Sequence, residues 1–306
     1  MLISLEFQNK DINFIKIGLE TIIMYKQKLG MSLLSTYECG MAEAIKIISD
    51  CGFDAISPVW TADYDIESIA NAAYKNNLTI QSLHAPFDGS AAMWGSDKDE
   101  SEKLLKGLFA SLEDAEKYNI PVLVLHTWQG FENIPNPSEA GISKYEKLVN
   151  KASECGIKIA FENTEGEEFL AVLMDYFKGN DTVGFCWDSG HEMCYNHSND
   201  LLKKYGDRLI MTHINDNLGI SRFDGETFWM DDLHLLPFDG IADWDYNVKR
   251  LKKCPTQEFL NFELINYSKP GRHENDRYSK MTLEEYYTEA YKRACRLAYK
   301  FYEQNQ

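Results

Sequence analysis

The chain lacks any cysteine pairing pattern. Its seven cysteines stand at 39, 51, 155, 186, 194, 254 and 295, never in C-x-x-C spacing. An odd, dispersed set excludes a disulfide framework and a structural zinc knot, and points to free thiols in a reducing compartment. No apolar run is long enough to span a bilayer, and the first ten residues lack the basic start and cleavage pattern of a signal peptide. The expectation is therefore a cytoplasmic protein with no membrane partner. Glycine-rich phosphate turns are missing too. Neither G-x-G-x-x-G nor a P-loop occurs, and Thr36-Tyr-Glu-Cys-Gly40 is no such turn. This counts against an open, doubly wound nucleotide-binding sheet. Basic residues are in deficit, 31 against 48 acidic, for a formal charge of −17. Such a field repels polyphosphate at long range and makes nucleic acid an unfavourable partner. No linker-like or low-complexity stretch divides the 306 residues. One domain is expected.

What is present is a repeating unit. Val183-Gly-Phe-Cys-Trp-Asp-Ser-Gly-His191 begins as a short apolar strand pattern and switches polarity within one residue. Similar runs end in or carry His84 (80–86), His126 (121–127), Glu162 (157–163), His213 (209–214) and Glu263 (259–264). With strands expected at 31–36 and 54–60 there are eight, alternating with amphipathic helical segments such as 66–75, 98–118 and 283–302. Strict alternation of that number predicts an α/β fold, a (β/α)8 barrel whose chemistry gathers at the strand C-termini. Residues 1–30 read as a short N-terminal extension packed on the barrel, 31–306. Apolar spacing over 12–25 predicts a helix or packed segment there.

Glu162, Asp188, His213 and Glu263 end four successive strands, the fifth to the eighth. Three carboxylates and an imidazole make an oxygen-rich site suited to Mn²⁺, Mg²⁺ or Co²⁺, with Zn²⁺ also compatible. Such an ion stabilises an enediolate formed from a hydroxy-ketone, and Glu162 and Glu263 are candidates to exchange the carbon-bound proton as base and acid. Further donors are His84, His126, His191, and the D-x-H pair Asp232 and His234. Each has a plainer reading. A strand-end carboxylate serves equally as a helix N-cap and a lone histidine as a hydrogen-bonded packing residue. The ordered succession favours a site. Trp60, Trp128 and Trp187 are candidates for the apolar face beneath a sugar, against a reading as core aromatics. Arg222 is a candidate for a substrate oxygen or phosphate, against a surface charge. His197 and His273 are read as surface residues.

These residues also carry a family resemblance. His84-Ala-Pro-Phe, Glu162-Asn-Thr-Glu-Gly, Asp188-Ser-Gly-His, His213-Ile-Asn-Asp, Asp232-Leu-His and Glu263, in that order, resemble the xylose isomerase-like TIM-barrel superfamily over roughly 31–300. That superfamily holds sugar and sugar-phosphate isomerases and epimerases and the endonuclease IV type of abasic-site nuclease. The resemblance implies a TIM barrel, and implies that His126 joins the others as one of nine potential ligands of a two- or three-metal site. Two departures from the nuclease type stand out. His126 is followed by Thr-Trp rather than Pro-Gly. The segment Leu235-Leu-Pro-Phe-Asp-Gly-Ile-Ala-Asp-Trp244 is similar to the P-x-x-G-x-x-D-W of the isomerase branch, though Asp243 as a plain helix cap fits as well. The resemblance thus implies a divalent-metal-dependent isomerase or epimerase of a small polyhydroxy carbonyl compound. The alternatives are a multi-zinc phosphodiesterase and an inosose-type dehydratase. An oligomer is compatible with either branch.

Overall fold

The computed structural model describes residues 13–17, 20–24, 27–34, 37–95, 98–131, 135–224 and 227–303. Eight strand positions run parallel: β3 (Lys28–Ser32), β4 (Ala55–Ser57), the broken pair β5 (Thr79–Ile80) and β6 (Leu83–His84), β7 (Val122–His126), β8 (Lys158–Glu162), β9 (Val183–Asp188), β10 (Leu209–His213) and β11 (Phe259–Phe262). They form two curved sheets, β11-β3-β4-β5 and β6-β7-β8-β9-β10. Isolated parallel bridges, Val59 to His84 and Ile214 to Phe262, join the sheets at both seams. The ring closes, as the alternation predicts, into a TIM barrel.

The break in the third strand has a local cause. Gln81 turns its side chain inward, donating to Ser57 Oγ (3.1 Å), and Ser82 donates to the same hydroxyl (2.8 Å). Asn261 and Ser32 extend this buried polar group, Asn261 Nδ2 donating to Ser32 Oγ at 2.9 Å. Past this polar group the strand stays bonded to the β4 side, His84 N–H to the Pro58 carbonyl at 2.9 Å, while β6 pairs with β7. The other half of the interior is apolar, with Val124, Ala160, Cys186 and Met211 packed beneath the strand ends.

Helices among the described residues alternate with the strands: α1 (Met41–Cys51), α2 (Ile66–Lys75), α3 (Lys98–Lys117), α4 (Glu139–Cys155), α5 (Glu167–Tyr176), α6 (Ser189–Cys194), α7 (Leu201–Tyr205), α8 (Trp244–Leu251) and α9 (Leu283–Glu303). Their limits follow from capping. Ser138 accepts from the Gly141 amide (3.1 Å) to start α4, whose stripe Ile142, Tyr145, Leu148, Val149 and Ala152 is buried. Gly156, at φ 71°, ends it in the left-handed conformation.

Two expectations change. The first barrel strand starts at Lys28 rather than Met31, and positions 35–36 of the expected strand lie outside the described residues. Within 12–25, expected as a helix or packed extension, β1 (Asn13–Ile17) pairs antiparallel with β2 (Glu20–Met24). Their density of β-branched isoleucine and threonine favours strand over helix. Positions 12, 18, 19 and 25 of that segment, and 1–11, lie outside the described residues. All seven cysteines are free. Among the described residues no helix is long and apolar enough to cross a membrane.

Candidate metal centre and cavity

Because β7 to β10 stand in register, His126 lies beside Glu162 and Asp188 beside His213 at the same end of the sheet. Glu162 is the centre of the group, and it is completely buried. Its Oε1 lies 2.9 Å from His213 Nδ1 and 3.5 Å from His191 Nδ1. Its Oε2 lies 3.3 Å from His84 Nε2 and 3.4 Å from His126 Nε2. Glu263 Oε2 approaches the other side of His213 Nδ1, at 3.1 Å. Beyond it the D-x-H loop adds Asp232 Oδ1, 3.0 Å from His234 Nε2 and 3.4 Å from His191 Nε2.

Asp188 performs the bland role and remains in the cluster. Its Oδ1 accepts from the His191 amide (2.7 Å), capping α6, and its Oδ2 accepts from Asn215 Nδ2 (2.8 Å). A carboxylate has lone pairs left over. Gly190 is required beside it, since a Cβ there would collide with Asn215 Oδ1.

The donor atoms fall into four groups, each within 4.8 Å: His84, His126 and Glu162; Glu162, Cys186 and His213; Glu162, Asp188, His213 and Glu263; and, sharing no member with these, His191, Asp232 and His234. Two observations fit these residues to divalent cations. Glu162 Oε2 and Asp232 Oδ1 are buried and accept no well-aligned hydrogen bond, facing only imidazole nitrogens at 3.0–3.4 Å, an arrangement that a shared cation satisfies. Three histidines also have Nδ1 against a backbone carbonyl: His84 on Ala85 (2.8 Å), His191 on Asn163 (2.9 Å) and His234 on Glu263 (3.2 Å). That orientation fixes the ring and leaves Nε2 as a lone-pair donor, the usual arrangement of a metal-ligating histidine.

Electrostatics agree. Burial alone would raise Glu162, yet the charge of His213 and the contact with His126 hold its carboxyl well below the usual range. Burial is likewise outweighed at Glu263, brought down to about 2 by His213 and His234. Asp232 lies well below its ordinary value through His234 and His191 despite burial. Asp188 goes the other way, burial pushing it up to about 6. Burial opposes but does not prevent the rise of His234 to about 9 beside Asp232. His191 is raised by Asp188 and Asp232, again against burial. Burial lowers His126.

Above this floor is a cavity of about 230 Å³, reached by His84, His126, His191, Asp232, His234 and Glu263. It is smaller than the roughly 300–1,000 Å³ of drug-sized sites. Its walls are Phe87, Phe131, Tyr195, Trp229, Gln129, Glu165 and Lys269, none of which the sequence reading proposed. Phe87 and Tyr195 had a signal, three and four residues after His84 and His191. Glu165 is only 4% exposed, with Oε1 accepting from the Gly130 amide at 2.8 Å. Burial pushes its carboxyl up, opposed by that hydrogen bond.

Four expected contacts with substrate are corrected. The indoles of Trp60, Trp128 and Trp187 are buried away from the cavity, donating to Asp114 (2.7 Å), the Gly130 carbonyl (2.9 Å) and Glu192 (2.9 Å). Trp128 is further fixed by stacking on Phe169, centroids 4.3 Å apart. Arg222 is exposed and pairs with Asp224, Nε to Oδ2 2.9 Å. The cation at the cavity is Lys269 instead, donating to the Trp229 carbonyl at 2.6 Å. Trp244 is buried and donates to Asp216 (3.0 Å), while Asp243 caps α8, so the loop-and-cap reading of that segment holds.

A family model described as xylose isomerase-like TIM barrel matches residues 45–291. An uncharacterized protein of Sinorhizobium fredii, y4fM, is 28% identical over 269 residues, 74% of this chain and 82% of that protein. Among solved structures, the IolI protein with a bound zinc atom superposes with a TM-score of 0.70 at 19% identity, over 90% of this chain and 99% of that one. A 3-keto-D-glucoside 4-epimerase from E. coli gives 0.62 at 18% identity, over 83% and 98%. A fusion of a xylose isomerase-like TIM barrel with 4-hydroxyphenylpyruvate dioxygenase gives 0.66 at 12% identity; 90% of this chain is covered, but it spans only 43% of the fusion. At these identities the solved structures speak for fold alone.

Proposed function

We propose that this chain, which belongs to the xylose isomerase-like TIM barrel family, is a divalent-metal-dependent isomerase or epimerase of a small polyhydroxy carbonyl compound. The observation that carries the reading is the pair of carboxylates on either side of His213 Nδ1, Glu162 at 2.9 Å and Glu263 at 3.1 Å, at the floor of a cavity sized for a small molecule. Glu162, Asp188, His213 and Glu263 would hold the ion. Bound there, a divalent ion supplies Lewis acidity, which makes a C–H next to a carbonyl easier to ionise.

The side chains do the rest. Glu263 reaches the cavity wall and is the carboxylate with direct access to substrate. It takes the proton from the carbon between carbonyl and hydroxyl, and the enediolate is reprotonated on the other face or on the neighbouring carbon. Glu162 is the second member of the acid–base pair. It lies under the His84 and His126 edges, so its first duty is to hold the ion. Phe87, Phe131 and Tyr195 wall the reacting carbon from water.

The test is uptake of deuterium from solvent into D-fructose, D-psicose and inosose by metal-loaded protein. Glu263→Gln, still metal-loaded, should lose uptake by 100-fold or more. Unaltered uptake in that variant would remove Glu263 from the mechanism, and no uptake by the wild type would remove the reaction. A second reading, a multi-zinc phosphodiesterase, is favoured by one observation: all nine donors lie in neighbouring groups, with Glu162 shared among three of them and 3.5 Å from His191 of the fourth. Three tightly bound zinc ions per chain, with cleavage of a phosphodiester and no deuterium uptake, would select it.

A further inference from the structure

The metal floor is acidic, and so is part of the wall above it. Glu165 follows three residues after Glu162 and sits in the E-N-T-E-G turn at the start of α5. One of its oxygens is fixed by the Gly130 amide at 2.8 Å, and the residue lines the cavity while being 4% exposed. A carboxylate so held presents acceptors and no donors. Asp232 and Glu263, on the same cavity, do likewise. The lysine at this wall is already engaged. Lys269 donates to the Trp229 carbonyl at 2.6 Å and approaches Asp232 Oδ2 at 3.4 Å, using two of its three N–H donors. Among the described residues no arginine lines the cavity. Recognition of a phosphate ester calls for the opposite, a fork of arginine or lysine donors, because phosphate too is an acceptor at neutral pH.

We infer that the substrate is an uncharged polyhydroxy compound without a phosphate, and that Glu165 is the residue that selects it by accepting hydrogen bonds from substrate hydroxyls. The inference rests on the carbohydrate reading above and narrows its substrate class. Each hydroxyl supplies a donor for the Glu165, Asp232 and Glu263 carboxylates, and the half-exposed Trp229 gives an apolar face for the sugar's C–H edge. A phosphate in the same place would set two acceptors against each other with little solvent between them.

Calorimetric titration of the full metal-loaded chain separates this inference from the reaction itself. The probes are D-fructose, D-psicose and inosose against D-fructose 6-phosphate. At least one neutral probe should bind 10-fold or more tighter than the phosphate ester. Glu165→Gln keeps an oxygen for the Gly130 amide but removes the charge, and should narrow that ratio to under 3-fold. Glu165→Ala should weaken the neutral probe 10-fold or more with metal content unchanged. Phosphate ester binding as tightly as the neutral probes, or no neutral probe binding at all, overturns the inference. So does a ratio unmoved by Glu165→Gln. Deuterium uptake is read in parallel. Uptake from the phosphate ester alone keeps the isomerase reading and sinks this one, whereas selective binding of neutral probes without uptake does the reverse.

Discussion

Asp216, at the end of His213-Ile-Asn-Asp, touches none of the nine donors with its side chain, yet it determines the shape of the loop that carries two of them. Its Oδ1 accepts from the amides of Asn217 (2.9 Å) and Ala242 (3.0 Å), and its Oδ2 from the Phe238 amide (2.8 Å) and Trp244 Nε1 (3.0 Å). Its backbone pairs antiparallel with Leu235, next to His234. Gly240 passes so close that a Cβ would collide with Asp216 Oδ1 and the Asn217 carbonyl. Asp216→Asn replaces one acceptor oxygen by an NH₂ facing two N–H donors, so two hydrogen bonds to a carboxylate are lost whichever way the amide turns. At about 1.5–3 kcal/mol each, the cost is about 3–6 kcal/mol. Unfolding entropy near 2.1 cal/mol/K per residue gives about 0.64 kcal/mol/K for this chain, hence a fall in Tm of about 5–9 °C. Scanning calorimetry of the metal-free protein reads the fall, and chelator competition reads any accompanying loss of metal affinity. A loss below about 1 kcal/mol would mean that the Asp216 hydrogen bonds do not hold this loop.

Asp188→Asn should weaken ion binding 10-fold or more by chelator competition, with circular dichroism unchanged, because the amide oxygen still caps α6 while a charged donor is lost. Burial pushes the Tyr37 hydroxyl up to about 12, against its contacts with Tyr287 and the Leu34 amide. That raised value stabilises the fold fully below the free phenol's pKa near 10 and is lost as pH rises through about 12, a decline of about 2–3 kcal/mol. Because Tyr145, Tyr278, Tyr286, Tyr287 and Tyr291 are raised by burial as well, urea unfolding between pH 9 and 12 should show a decline about 2–3 kcal/mol smaller in Tyr37→Phe than in the wild type; identical curves would refute it.

The floor of the site was legible because His84, His126, Glu162, Asp188 and His213 end strands and Glu263 follows one, where an apolar run becomes polar within a residue and the barrel's parallel register does the gathering. Glu162 and Asp188 need no knowledge of the loops to be brought within reach of His213. The walls follow no such rule. Gln129, Phe131, Glu165, Trp229 and Lys269 come from loops and turns, where neither two-residue nor helical periodicity marks which way a side chain faces. The tryptophans misled for a physical reason. An indole beside a strand end satisfies its N–H as well by turning outward under the helices, toward Asp114 or Glu192, as by turning into a cavity. Arg222 found a partner two residues away, at Asp224, before it could reach the site. The antiparallel pair β1 and β2 was not legible because apolar spacing over so short a segment fits both periods, and only the β-branched content separates them.

Ion number and substrate charge are tied together by the donor set itself. The cluster holds four carboxylates, Glu162, Asp188, Asp232 and Glu263, and five imidazoles, His84, His126, His191, His213 and His234. With one divalent ion the ionised floor carries an excess of negative charge. Protons on His191 and His234, whose basicity Asp188 and Asp232 raise, offset it. On the proposed reading a neutral sugar would then enter without disturbing the balance, and the Glu165 carboxylate would complete its hydrogen bonding. With three divalent ions the protons must leave and the floor becomes positive, which favours an anionic substrate such as a phosphodiester. In that state Glu165 would stand as an uncompensated repulsion beside the very charge the ions attract. A buried carboxylate in that position is therefore coherent with few ions and an uncharged ligand, and incoherent with many ions and a phosphate.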